Sequence, residues 1–139
     1  MTRDERQDLS VERWRACNHR ATVEATTGFG KTRIAIKIIN LLRRNDKTRK
    51  VIVVVPTLQL QQQWRDVLSE YGYAEHTEVY IINSFVRMTK MRCSMLVLDE
   101  IHRYAANTFS KVFQVCIYDF LLGLTATMSR LDKKHDILE

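Results

Sequence analysis

The chain has 139 residues, a formal net charge of +6 from 22 Lys+Arg against 16 Asp+Glu, and 45% hydrophobic residues. That length carries one domain with a proper core and excludes a second of ordinary size, and the basic balance suits a polyanionic partner without identifying one. The longest aliphatic run, Val51–Val55, is too short for a membrane span, the charged stretch Met1–Arg15 has no signal-peptide core, and Cys17, Cys93 and Cys116 form no C-x-x-C pair, so a soluble protein in a reducing intracellular compartment is expected.

From the N-terminus, Val11, Trp14 and Cys17 fall on one side of a short helix for which Ser10 is a suitable N-cap. Gln7 lies just upstream. The segment Arg20–Ala25 is expected to be the first strand, although Glu24 interrupts its apolar character and local propensity does not demand it. It leads into Ala25-Thr26-Thr27-Gly28-Phe29-Gly30-Lys31-Thr32, followed at once by Ile34-Ala35-Ile36-Lys37-Ile38-Ile39. A glycine-interrupted turn that opens a helix aims unpaired N–H groups and the positive end of the helix dipole at one point, which suits a polyphosphate. Thr27, Gly28, Phe29, Gly30, Lys31 and Thr32 are therefore the expected nucleotide-binding residues, with Lys31 reaching the terminal phosphates and the Thr32 hydroxyl a ligand for Mg²⁺. The general signature G-x-x-x-x-G-K-[ST] places a glycine where this chain has Ala25, with Gly28 further in.

Ile34, Ile38 and Leu41/Leu42 mark the buried face of the following helix. Five basic residues then lie between Arg43 and Lys50, and a solvated loop after a helix C-terminus explains them better than a nucleic-acid patch does. Lys50–Val55 reads as a strand of a parallel sheet covered on both faces. Past Pro56-Thr57 comes a helix with Leu60, Trp64, Val67, Leu68 and Tyr71 on its apolar stripe, stopped by Gly72. Trp64 reads as core in preference to a base-stacking platform.

Further strands are expected at Glu78–Ile82, Ser94–Leu98 and Tyr118–Leu124, with a helix between the last two that carries Phe109, Val112, Phe113 and Cys116 on one face. Strands alternating with helices, and polar motifs just after strand ends, indicate an α/β fold: an open, mostly parallel sheet flanked by helices, with its ligand at the carboxyl edge. The strand Met95-Leu96-Val97-Leu98 delivers Asp99 and Glu100 to that edge. Phosphoryl transfer needs carboxylates beside the phosphates, here Asp99 toward the metal and Glu100 toward the attacking water.

Read together, these motifs resemble superfamily 2 helicases of the DExH type, a group that includes the DEAD/DEAH-box enzymes and type III restriction motors. The A-x-x-G-x-G-K-T loop is similar to their first motif, Val54-Val55-Pro56-Thr57-x-x-Leu60-x-x-Gln63-Trp64 to motif Ia, Asp99-Glu100-Ile101-His102 to motif II and Leu124-Thr125-Ala126-Thr127 to motif III. The resemblance spans nearly the whole chain in the right order and implies a RecA-like P-loop NTPase lobe that uses ATP and Mg²⁺. It implies catalytic roles for Lys31, Asp99 and Glu100, a coupling role for His102, Thr125 and Thr127, and nucleic-acid contacts through Pro56, Thr57 and Ser84. In that group a glutamine ahead of the first motif reads adenine; Gln7 either does so or is a solvated residue at a frayed terminus.

The expected organisation is a single helicase ATP-binding domain over 1–139, with the second lobe of the two-lobe engine absent and supplied by a longer chain or a partner. The expected function is ATP-driven translocation or unwinding on DNA, less readily on RNA, the isolated lobe being weak or inactive. The alternatives are the motor of a restriction or repair complex and a non-catalytic one-lobe module. A GTPase is disfavoured by the lack of N-K-x-D, and an ABC-type ATPase by the lack of L-S-G-G-Q.

Overall fold

The computed structural model describes residues 3–16, 20–24 and 28–125, with the backbone alone for residues 20–24 and 28–31 and for Arg3, Asp4, Arg6, Ser10 and Ala16. The elements run α1 (Arg3–Ala16), β1 (Arg20–Glu24), α2 (Gly28–Asn45), β2 (Val51–Val55), α3 (Leu58–Glu70), β3 (Thr77–Ile81), a one-turn α4 (Ile82–Phe85), β4 (Met91–Leu98), α5 (Ala106–Val115) and β5 (Cys116–Thr125). The five strands form one sheet in the order β1-β5-β4-β2-β3. Every pairing is parallel, with Val23 opposite Leu124, Leu96 opposite Leu121, and Val53 opposite both Val97 and Val79. The α/β expectation holds.

Side chains alternate across the sheet and split the core in two. Val51, Val53, Val55, Met95, Val97, Leu122 and Leu124 face α1, α2 and α3, where they meet Trp14, Ile34, Ile38, Trp64 and Leu68. Ile52, Val54, Leu96 and Leu98 face the other way, onto Phe85, Val112 and Val115. Each central strand is thus apolar on both faces, which is why β2 reads as an unbroken aliphatic run. Among the described residues no helix is long and apolar enough to cross a membrane.

α3 ends where the sequence places its stop. Gly72 has φ +83°, and the amides of Gly72 and Tyr73 return to the carbonyls of Ser69 and Leu68, closing the last turn. Three of the five basic residues around the end of α2 serve structure. Arg43 is buried and donates to the Arg49 carbonyl at 2.7 Å, the Arg49 guanidinium lies 5.1 Å from the Phe120 ring centre, and Lys50 pairs with Glu78 at 3.2 Å.

Some boundaries differ from expectation. α1 begins at Arg3, so Ser10 lies inside it and does not cap it, and Cys17 falls outside the described residues. β4 starts at Met91, three residues before the expected Ser94, because Met91, Arg92 and Cys93 pair with Cys116, Ile117 and Tyr118. Cys116 is the first residue of β5; the apolar period of α5 runs into it, and the pairing with Met91 decides its class.

Candidate functional site

Because the strands are parallel, the carboxyl ends of β1, β5, β4, β2 and β3 lie side by side at one edge of the sheet in that order, and the described parts of the motifs lie there. α2 begins at Gly28, so Gly28, Phe29, Gly30, Lys31 and Thr32 form the opening of an 18-residue helix whose N-terminus lies at this edge. Thr32 is partly buried. Thr27, with Ala25 and Thr26 before it, lies outside the described residues, as does Thr127.

Asp99 extends the alternation of Met95 and Val97 by one step and so turns toward the face that carries α2 and α3. It is 1% exposed. Its amide donates to the Val54 carbonyl at 2.9 Å, and its Oδ2 accepts from the Trp64 indole N–H at 2.8 Å. The Tyr104 hydroxyl lies 2.9 Å from both the Asp99 and the Val54 carbonyls and pins the turn after β4 to β2. Burial, reinforced by the charges of Asp99 and Glu100, pushes the Tyr104 phenol well above its ordinary range, so it stays a hydrogen-bond donor at any physiological pH.

Glu100 takes φ 54° and ψ 46°, the left-handed region, and is the one non-glycine residue with positive φ among those described. A side chain in that region costs of order 1 to 2 kcal/mol, and such strain collects where geometry serves a site. The sharp turn lets Ile101–Arg103 fold as a single 3₁₀ turn that brings His102 back over the sheet. His102 Nδ1 meets Thr125 Oγ1 at 2.7 Å, and its Nε2 lies 3.6 Å from Glu100 Oε1. In the neutral tautomer with Nε2–H toward Glu100, Nδ1 accepts from the Thr125 hydroxyl; a protonated ring would donate to both. Thr125 is fully buried at the end of β5, the strand between β1 and β4, so this contact lies between the opening of α2 and the carboxylates.

On the far side, Pro56 and Thr57 follow β2, and the Thr57 hydroxyl caps α3 by accepting from the Leu60 amide at 3.2 Å. Ser84 is exposed in α4, directly after β3, while its neighbour Phe85 is buried. Val55 pairs with Ile81, so these two segments leave the sheet at one level. Gln7 is not a solvated terminal residue: it is 4% exposed on the inner face of the 14-residue α1, with Val11 and Trp14, and its Nε2 has no hydrogen-bond partner.

The structure thus brings together Asp99, Glu100, His102 and Thr125, and sets Thr32 and the backbone of Lys31 on the helix opening at the same edge. Two residues of this region were not singled out for the site from sequence, Trp64 and Tyr104. The available signal for Trp64 was chemical: a buried indole needs an acceptor, and α3 packs beside the strand that ends in Asp99.

A parallel sheet with β5 between β1 and β4, and Asp99-Glu100-Ile101-His102 at its carboxyl edge, fits the first RecA-like lobe of a superfamily 2 helicase, and similarity to known proteins supports that class. The chain is 28% identical over 133 residues to the DNA 3′-5′ translocase XPB2 of Sulfurisphaera tokodaii, a match covering 85% of this chain and 29% of that protein. The family model described as type III restriction enzyme, res subunit, matches residues 2–93 and 82–130, and the chain belongs to that family.

Solved structures share the fold. The Sulfolobus solfataricus SWI2/SNF2 ATPase core in complex with dsDNA aligns with a TM-score of 0.74 at 14% identity, over 94% of this chain and 32% of that one. The UvsW helicase from bacteriophage T4 aligns with a TM-score of 0.68 at 18% identity, over 95% of this chain and 54% of that one. The chain therefore spans about three-tenths of the length of the curated relative and about half or less of these structures.

Proposed function

We propose that this chain is the ATP-binding lobe of a DNA translocase or helicase that hydrolyses ATP with Mg²⁺. The observation that carries the reading is the His102–Thr125 contact, set between the opening of α2 and the carboxylates at the end of β4. A γ-phosphate seated on the α2 N-terminus would lie beside that contact, so its presence or loss could be passed to a second lobe.

In this reading the N–H groups of Thr27, Gly28, Phe29 and Gly30 cradle the phosphates, and Lys31 adds a positive charge at the terminal ones. Thr32 and Asp99 would hold the metal. Mg²⁺ takes one or two carboxylates, substrate phosphates and waters in preference to an all-protein cage. One carboxylate, Asp99, and one hydroxyl, Thr32, make a donor set that suits Mg²⁺ arriving with a nucleotide. Such an ion would screen the phosphate charge. Glu100 orients and deprotonates the attacking water, and the buried, unpaired Gln7 amide is a donor for the adenine edge. His102, Thr125 and Thr127 couple hydrolysis to a second RecA-like lobe, while Pro56, Thr57 and Ser84 touch the nucleic-acid backbone.

DNA is the preferred track because the curated relative is a DNA translocase and the SWI2/SNF2 core was solved on duplex DNA. Membership of the restriction family favours, as a second reading, the motor of a restriction complex; nuclease activity in the same assembly would select it. Lys31→Ala tests the site: the variant should fold as wild type by circular dichroism and lose Mg·ATP binding, and unchanged affinity in a folded variant refutes the assignment. Single-turnover hydrolysis with single-stranded DNA, duplex DNA and RNA, with and without the partner lobe, tests the substrate. Stimulation by RNA alone would overturn the DNA reading.

A further inference from the structure

The chain has two tryptophans, and both are buried, yet their indole N–H groups have different partners. Trp14 donates to a backbone carbonyl, Leu121 O, at 2.7 Å, which fastens α1 to the sheet. Trp64 donates to a side-chain carboxylate, Asp99 Oδ2, at 2.8 Å, with the indole 2% and the aspartate 1% exposed. A hydrogen bond from an indole N–H to a buried carboxyl oxygen is directional and meets little competition from water. It anchors one carboxylate oxygen, Oδ2, and so restrains the rotation of the carboxylate plane about the Cβ–Cγ bond.

α3 gives this contact a second consequence. Its N-terminus is capped by Thr57 at 3.2 Å, its side is tied to β3 by Gln61 Nε2 donating to the Val79 carbonyl at 2.8 Å, and its end is closed at Gly72. Trp64 lies about two turns, or about 10 Å, along the axis from Thr57. A helix fixed at both ends moves as a unit, so a shift at Pro56-Thr57 reaches the indole and through it the carboxylate.

We propose that Trp64 is a positioning residue for the metal-ligating carboxylate: its N–H sets the orientation in which Asp99 meets the Mg²⁺ of a bound nucleotide, and α3 links that orientation to the Pro56-Thr57 edge. The proposal rests on the reading of Asp99 as a metal ligand. Groups that orient a ligand from outside typically change metal affinity about 10-fold to 100-fold when removed. Trp64 should do so without touching metal or nucleotide.

Trp64→Phe keeps an aromatic ring on the stripe and removes only the indole N–H and the second ring. With a fluorescent ATP analogue, the Mg²⁺ concentration that half-saturates tight nucleotide binding should rise about 10-fold or more, while affinity in excess EDTA stays within about twofold of wild type. A merely structural role would instead weaken binding in EDTA and in Mg²⁺ alike, and that result overturns the proposal. A folded Trp64→Phe protein with the wild-type Mg²⁺ curve also overturns it, provided Asp99→Asn shifts the curve. If Asp99→Asn leaves Mg²⁺ dependence intact, the metal reading itself fails and the proposal falls with it.

Should Trp64→Phe not fold, Trp14→Phe leaves Trp64 as the one tryptophan emitter. Its emission should then change over the same Mg²⁺ range that tightens nucleotide binding. Constant emission across that range overturns the proposal.

Discussion

Glu100 offers a test in which stability and activity part company. At φ 54° it occupies a conformation that glycine reaches freely and an L-residue does not. Glu100→Ala removes the carboxylate and keeps the backbone cost, whereas Glu100→Gly removes both. Relief of the left-handed conformation is worth about 1 to 2 kcal/mol, and the greater freedom of glycine in the unfolded chain returns about 0.5 to 1 kcal/mol. The glycine variant should therefore exceed the alanine variant by about 1 kcal/mol, or about 4 °C in Tm for a domain of this size. Because the weak approach to His102 at 3.6 Å is lost in both variants, it cancels in the comparison. Urea denaturation monitored by circular dichroism measures the difference, and single-turnover hydrolysis should be lost in both. Equal stability, or an alanine variant more stable than the glycine one, would refute the claim that the turn after β4 holds backbone strain.

Gly72→Ala is the reverse case: a Cβ there meets nothing within 4 Å, so the cost at φ +83° comes from the backbone alone, about 1 kcal/mol, and a Tm unchanged from wild type would show that α3 does not depend on this stop. Glu78 accepts from Tyr80 and pairs with Lys50, which hold its carboxyl below the ordinary 4.5. A depressed folded-state value means that the contribution is present above about pH 4.5 and disappears as pH falls through the lower folded value. The difference in urea midpoint between wild type and Glu78→Gln should thus shrink as the pH is lowered from about 5, and a difference that does not fall on acidification would contradict it.

What could be read from the sequence was whatever local chemistry and tertiary context both demanded. β2 is aliphatic throughout and fully buried, and α3 shows its stripe and its Gly72 stop without help from the rest of the chain, whereas its Thr57 cap emerges only in the structure. β1 was legible only by inference: Arg20 and Glu24 give it little strand character, and it was required by the phosphate loop that follows. The early start of β4 is set by pairing with the first residues of β5, and Arg92 finds its partner in Asp119, 3.3 Å away on that next strand. Gln7 left two readings open because an amide is neutral toward helix and solvent alike. Its burial follows from the docking of α1 on α2, helped by the Lys37–Asp8 pair at 2.7 Å.

The geometry of the site was less legible than its residue list, for a physical reason. The site side chains sit at or just past the ends of strands, where propensity no longer specifies a conformation and distant partners do. Asp99 takes the core-facing position next after Val97, and a carboxylate there is tolerable only with donors around it. One donor, the Trp64 indole, comes from 35 residues away in sequence, and its apolar ring is what the periodicity of α3 reports. The same logic governs Glu100 and His102: no local preference favours a glutamate at φ 54°, and the return of the chain to put His102 against Thr125, 23 residues on, selects it. Residue types at strand ends thus declare what chemistry is available, and the sheet order, with β5 between β1 and β4, decides which of them meet.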